Sequence, residues 1–242
     1  ICVGQERAAE NRVTCFNVKK NNNKWDWLAE IKSIPDFKCI SPKQINIMIC
    51  TRNNGFGYPI YVQIPRIKKP IPLFIVFRAL GIIEDKKISE FILLNLTDKK
   101  MEKMLFSLKA SIIEANKYLT QEDSFDFIKG HIIFTPMNMD KETGDLKKHE
   151  FTKNILDNDL YPHCFTKEQK IYFLGYMTNK LLRTSFGWRD PDDRDAYFNK
   201  RIDLTGTLLN NLFRNYFNKL VKDMSKQIIR EINNGSWRST DN

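Results

Sequence analysis

Asp190, Asp192, Asp193 and Asp195 place four carboxylates within six residues, and the chemistry such a cluster suggests is binding of a hard divalent cation such as Mg2+. A twelve-residue calcium loop begun at Asp190 fails, because Asp195 stands where the turn glycine belongs and Arg201 where a bidentate Glu is required. A metal-dependent nuclease using the Asp190 to Asp195 cluster is the enzyme these acids would make. The competing reading is a solvated loop whose acids pair with Arg194, Lys200 and Arg201 and favour the start of the next helix. GFGYP at 55–59 lacks the glycine spacing and the Lys-Ser or Lys-Thr pair of a phosphate loop, and predicts a hairpin turn. His131, His149 and His163 have no zinc-ligand spacing. The five cysteines (Cys2, Cys15, Cys39, Cys50, Cys164) form no CxxC pair and predict reduced thiols in an intracellular compartment. Without a GxSxG, HExxH or Cys-His arrangement, an autonomous catalytic centre is not expected.

Basic residues interleaved with aromatics are the other chemical signal. RTSFGWR (183–189) and FRNYFNK (213–219) could neutralise phosphates while rings stack on bases, although aromatics in an amphipathic helix also serve as core. Arg183, Trp188 and Arg189 fall where a helix should end, within reach of a ligand. A net charge of +10, from 39 Lys plus Arg against 29 Asp plus Glu, favours an anionic partner.

These residues need elements to position them. With 242 residues, 42% hydrophobic and 12% aromatic, the chain can bury a sizeable core. Its longest apolar stretch, residues 71–83, contains Pro72 and Arg78 and is too short for a membrane helix, so no membrane association is expected. Residues 1–20 show no complete element, and the polar run 19–24 predicts a loop. WLAEIKSI, QINIMIC, YPIYVQI and PLFIVF between residues 25 and 83 are strand candidates. Residues 86–96 and 98–119 have helical spacing, with Met101, Met104, Leu105, Leu108, Ile112 and Ile113 on one stripe. Residues 124–134 and 149–159 are further helices on either side of a turn-forming run, MNMDKETGD. Thr166 should cap a helix that stops near Gly187, and residues 204–232 repeat Leu208, Leu209, Leu212, Phe213, Tyr216, Leu220 and Met224 along one helical face that needs a partner. The first residue is Ile1 rather than Met, and the opening ICVGQERAAENRV has no apolar signal-peptide core, which suggests an excised piece.

Three stretches together resemble one family: GQERAAEN, YVQIPRIKKPIPLFIVFRALGI, and FLGYMTNKLLRTSFGWRDPDDRDAYFNKRIDLTGTLLNNLF. Similar words occur in the same order in the second-largest (β-type) subunit of multisubunit DNA-dependent RNA polymerases. The run Asp-Arg-Asp-small-Tyr-X-Asn-Lys-Arg is most similar to the large DNA virus branch. The resemblance implies an α+β chain, with a mixed strand-helix lobe domain (21–164) inserted into a helical part of the protrusion (1–20 and 165–242). It implies a nucleotidyltransferase complex in which this segment is part of the DNA cleft wall and is not itself catalytic. The partners implied are the other polymerase subunits, chiefly the largest, together with template and nontemplate DNA and the nearby RNA-DNA hybrid. No cofactor is implied in this segment, whereas catalytic Mg2+ and structural Zn2+ are expected in the complete polymerase. Its site would be the nucleus, or a cytoplasmic viral factory or virion.

Residues 192–201 resemble a bacterial segment in which the last acid and the first of two paired basic residues contact a flipped nontemplate base. By that match Asp195 would accept from a base edge, with Lys200 in support. Arg194, Ala196, Phe198 and Lys200 depart from the bacterial pattern, which leaves Lys200 and Arg201 a phosphate or structural role. The nucleic-acid-binding candidates are therefore Arg183, Trp188, Arg189, Arg194, Asp195, Lys200 and Arg201. The alternative is a stand-alone basic nucleic-acid-binding protein.

Overall fold

Successive residues of a strand face opposite ways, so a sheet with one buried face selects apolar residues at every second position. The computed structural model, which describes residues 4–18, 24–35, 40–95, 98–135 and 140–235, shows this selection directly. Strands β1 (Gly4–Ala8), β2 (Thr14–Asn17), β3 (Trp25–Ser33), β4 (Lys43–Cys50), β5 (Ile60–Gln63) and the short β6 (Ile71–Pro72) come first in the chain. Five of them form an antiparallel sheet in the order β2-β3-β4-β5-β6. Cys15, Ala29, Ile47, Val62 and Ile71 are paired neighbours across all five strands. Every one of them is fully buried. The opposite, outer face carries the row Thr14, Glu30, Asn46, Gln63 and the Lys32-Gln44 pair.

Helices cover the inner face. They are α1 (Leu73–Ala79), α2 (Asp85–Leu93), α3 (Lys99–Ala115), α4 (Gln121–Gly130), α5 (Lys141–Asn154), continued by a π turn over Ile155–Asp159, and α6 (Lys167–Ser185). Met104 and Leu108 of α3 and Leu174, Met177 and Leu181 of α6 join the sheet residues in one continuous core. The mixed α+β class expected from the sequence is therefore what forms.

Three local expectations are corrected. PLFIVF is not a strand: after β6 it becomes α1, in which every residue is buried. A segment buried on all sides has no polar face, so periodicity cannot separate helix from strand. Residues 1–20 do hold elements, namely β1 and β2, which pair with strands elsewhere in the chain. Lys141–Asp145, assigned to a turn, begins α5. Residues 137–139 of that run, most of the polar run 19–24, and Cys2 and Cys39 lie outside the described residues. The remaining cysteines, Cys15, Cys50 and Cys164, are free thiols.

The chain divides into two compact units, Ala9–Asn199 and a second made of Ile1–Ala8 with Lys200–Asn242. These limits differ from those drawn at residues 20 and 164, because the apolar stripe of α6 is built into the core of the larger unit. In the smaller unit, β1 pairs antiparallel with β7 (Lys200–Leu204), Gly4 opposite Leu204 and Ala8 opposite Lys200, and α7 (Thr205–Asn233) follows. No residue of α7 is buried. Among the described residues no helix is long and apolar enough to cross a membrane.

Candidate nucleic-acid interface

The loop that carries most of the candidates hangs from α6, so the placement of that helix comes first. Thr166 Oγ1 accepts from the Gln169 amide while the Gln169 side chain accepts from the Thr166 amide, a reciprocal cap that starts the helix as its sequence predicts. Gly175 lies against α2 so closely that a Cβ would fall 2.3 Å from the Phe91 carbonyl oxygen. One turn later, buried Asn179 donates through Nδ2 to the Ile92 carbonyl (2.8 Å) and the Leu93 carbonyl (3.3 Å), satisfying the end of α2.

The helix ends in a tight turn. Phe186 N–H donates to Leu182 O, Gly187 N–H to Thr184 O and Trp188 N–H to Arg183 O, with Gly187 in the left-handed region at φ 71°. This turn fixes the exposed Arg183 on the last helical turn and the half-buried Trp188 just beyond it. The Trp188 ring leans on Phe186 (centroids 5.1 Å apart) and packs against the core.

Asp192 then ties the loop down. Its amide donates to Cys15 O (2.7 Å) and its Oδ2 accepts from Cys15 N–H (2.9 Å), while its Oδ1 accepts from Arg189 Nη2 (2.6 Å). Lys180 Nζ lies 3.5 Å from Oδ2 and also donates to the Val13 carbonyl. Asp192 therefore takes partners other than the expected Arg194, Lys200 and Arg201. Asp192 takes Arg189 and Lys180, which reach it from the same turn and from α6. Asp193 Oδ1 accepts from the Asp195 amide (2.9 Å), which sets a local turn.

The remaining candidates are held differently. Arg194 extends over the Phe16 ring (5.5 Å) on the outer sheet face, 3.9 Å from Glu30. Lys200 and Arg201 belong to the smaller unit. There Lys200 pairs with Glu6 (3.0 Å), and the exposed Arg201 donates to the Lys200 carbonyl. Arg183, Trp188 and Arg189 thus share one turn, Arg194 and Asp195 the next, and the last two a separate ladder. Sequence reasoning passed over Arg12, whose guanidinium stacks 5.0 Å from the Phe198 ring centroid and donates to the Phe198 carbonyl. Nothing in sequence spacing signals a pair so far apart in the chain.

What the larger unit's turn can do is attract and orient anions: exposed Arg183 and Arg194 offer phosphate donors, and Trp188 an apolar plane. It does not fit a metal. Among the described residues no three His, Cys, Asp or Glu side chains gather as a ligand set, and both Asp192 carboxylate oxygens are engaged by protein donors.

Residues 9–203 match the family described as RNA polymerase Rpb2, domain 2. The chain belongs to this family. The Rpb2 domain 2 match runs from just after β1 to β7 and so takes in the whole sheet, α6 and the loop of Asp192. Similar proteins include the DNA-directed RNA polymerase II subunit RPB2 of Encephalitozoon cuniculi, 36% identical over 97% of this chain and 20% of the relative. The DNA-directed RNA polymerase II subunit 2 of Arabidopsis thaliana is 32% identical over 97% of this chain and 20% of its own length. An archaeal relative, the DNA-directed RNA polymerase subunit Rpo2N of Methanococcus vannielii, is 30% identical over 95% of this chain and 43% of its own length. The chain spans about one fifth of the length of the eukaryotic relatives it matches.

Proposed function

We propose that this chain works as part of the second-largest subunit of a DNA-directed RNA polymerase, where it forms part of the wall of the DNA cleft during transcription. The observation that carries the reading is the match of residues 9–203 to RNA polymerase Rpb2, domain 2. In this reading the larger unit corresponds mainly to the lobe, and the smaller one contributes to the protrusion. Template and nontemplate DNA are held through Arg183, Trp188, Arg189 and Arg194 of the larger unit, where Asp195 faces a base edge, and separately through Lys200 and Arg201 of the smaller one. The apolar face of α7 docks on other polymerase subunits, chiefly the largest. Phosphoryl transfer, with its Mg2+, and the structural Zn2+ belong to other parts of the enzyme, so the segment positions nucleic acid without making bonds. Its place of work is wherever that polymerase transcribes, the nucleus or a viral factory.

The test is mapping of protein-DNA crosslinks in an assembled transcription complex. Adducts at the turn of residues 183–195 are expected. A complex that transcribes but gives no adduct anywhere between residues 21 and 242 overturns the reading.

A further inference from the structure

The outer face of the sheet ends, on the side of β4 and β5, in a cleft of about 500 Å³ that none of the candidates above touches. Its floor is made of side-chain amides. Asn46 and Gln63 are paired neighbours on β4 and β5, and Asn46 Nδ2 donates to Gln63 Oε1 (3.3 Å). Gln44, two residues earlier on the same face, donates to Asn46 Oδ1 (3.4 Å). Lys43 and Arg66 form the rim. No carboxylate lines the cleft among the described residues.

The rim cations are held in place from behind. Asp159, whose side chain is only 3% exposed, accepts from Arg66 through both Nε and Nη2 and lies 3.2 Å from Lys43 Nζ. Arg66 sits in the left-handed region at φ 65°, and its loop is fastened by Ile133 N–H to the Arg66 carbonyl (3.0 Å) and by Lys68 N–H to the His131 carbonyl (2.8 Å). The guanidinium also covers the Phe151 ring at 5.0 Å. Two cations against one buried carboxylate leave a positive balance at the mouth.

We infer that this cleft binds the backbone of a single-stranded nucleic acid, taking one phosphodiester between Lys43 and Arg66 while the amides of Gln44, Asn46 and Gln63 meet the adjoining base. A guanidinium fixed by its own carboxylate still presents Nη1, and an ammonium with one ion pair keeps further N–H donors for non-bridging oxygens. Side-chain amides both donate and accept, which matches the mixed pattern of a base edge. The volume is that of a small-ligand site and suits one nucleotide unit. The inference shares its ligand class with the proposed function but uses none of residues 183–201, so the two fail separately.

The test uses the full chain with its Gln44→Glu/Gln63→Glu double variant, both positions being exposed. Lys147→Glu, on the exposed face of α5, makes an equal change in net charge and is the control. Binding of a fluorescent oligothymidylate is measured by anisotropy. The double variant is expected to bind about tenfold more weakly and the control within about twofold of wild type. Lys43→Gln should show an intermediate loss. Equal weakening in double variant and control would mean diffuse attraction and overturns the site. Polyglutamate binding that falls in the double variant while oligothymidylate binding holds overturns it in favour of an acidic protein partner. Displacement of the oligonucleotide by inorganic phosphate at equal phosphate concentration overturns it in favour of a free anion.

Discussion

Cys15 serves the core and the candidate turn at once. Its side chain belongs to the fully buried row across the sheet, its amide and carbonyl bind Asp192, and its neighbour Lys180 neutralises that carboxylate. Burial pushes the thiol up from 9.0 to about 11, with Lys180 opposing the rise and Asp192 adding to it. The pH consequence follows from linkage. An unfolded thiol loses its proton near 9 and the folded one near 11, so the folded state binds the proton more tightly between those values. The stability from a neutral, buried Cys15 is therefore fully present below pH 9 and is lost as pH rises towards 11. Urea unfolding of wild type and Cys15→Ala, below pH 9 and near pH 11, should show a smaller alkaline loss in the variant. Buried Tyr161 and the half-exposed Cys164 are also raised, which is why the difference between the two proteins is the quantity to read. Parallel losses would show that Cys15 does not titrate in this window.

At the scale of elements, the approach of α6 to α2 decides where the candidate turn sits. Gly175 permits it: an added Cβ would lie 2.3 Å from the Phe91 carbonyl oxygen, and a backbone atom cannot swing aside as a flexible side chain can. Gly175→Ala is expected to cost about 2–3 kcal/mol in denaturant unfolding through overpacking. Gly130→Ala, with nothing within 4 Å of its Cβ, is the comparison and should be near neutral or stabilising. A loss no larger at Gly175 than at Gly130 would remove the close-approach argument. Buried Arg78 plays a similar binding role, donating to the Ala115 and Tyr118 carbonyls and to Asp85, and so joins α1 to the start of α2 and the end of α3. How much of this was legible depends on the range of the forces involved. The cap at Thr166 and the stop at Gly187 are local, and the sequence predicts both. PLFIVF (72–77) reads as strand yet supplies most of α1, because a wholly buried segment has no period to read. The strand β1 was missed because its partner, β7, lies nearly the whole chain away. The Asp192 ion pairs were misassigned for a related reason: sequence adjacency offered Arg194 and Lys200, whereas the fold delivered Lys180 from α6. Motif order across the chain carried more about function than any single site did, since the cleft at Lys43 and Arg66 is assembled from β4, β5 and the loop after it, backed by a π turn, with no common sequence signature.

For the whole molecule, charge and apolar surface make opposite demands. Leu209, Leu212, Phe213, Tyr216, Leu220 and Met224 are each more than half exposed along α7, a stripe far larger than the scattered apolar residues of an ordinary surface. The net charge of +10 opposes association of like chains. Salt separates the two effects, because it screens repulsion between chains within a Debye length of about 10 Å at 0.1 M while leaving apolar burial in force. Sedimentation of the chain should therefore show association that rises with both protein and salt concentration. Oligonucleotide binding should fall over the same salt range, as counterion release requires. Phe213→Glu/Leu220→Glu interrupts the apolar stripe and is expected to leave the chain monomeric at all these salt concentrations. It should not shift the unfolding midpoint of the larger unit, to which α7 does not belong. The same substitutions made in the complete polymerase subunit are expected to block its incorporation into the enzyme. Normal incorporation would mean that this stripe is not the surface on which other subunits dock, whatever the isolated chain does in the centrifuge.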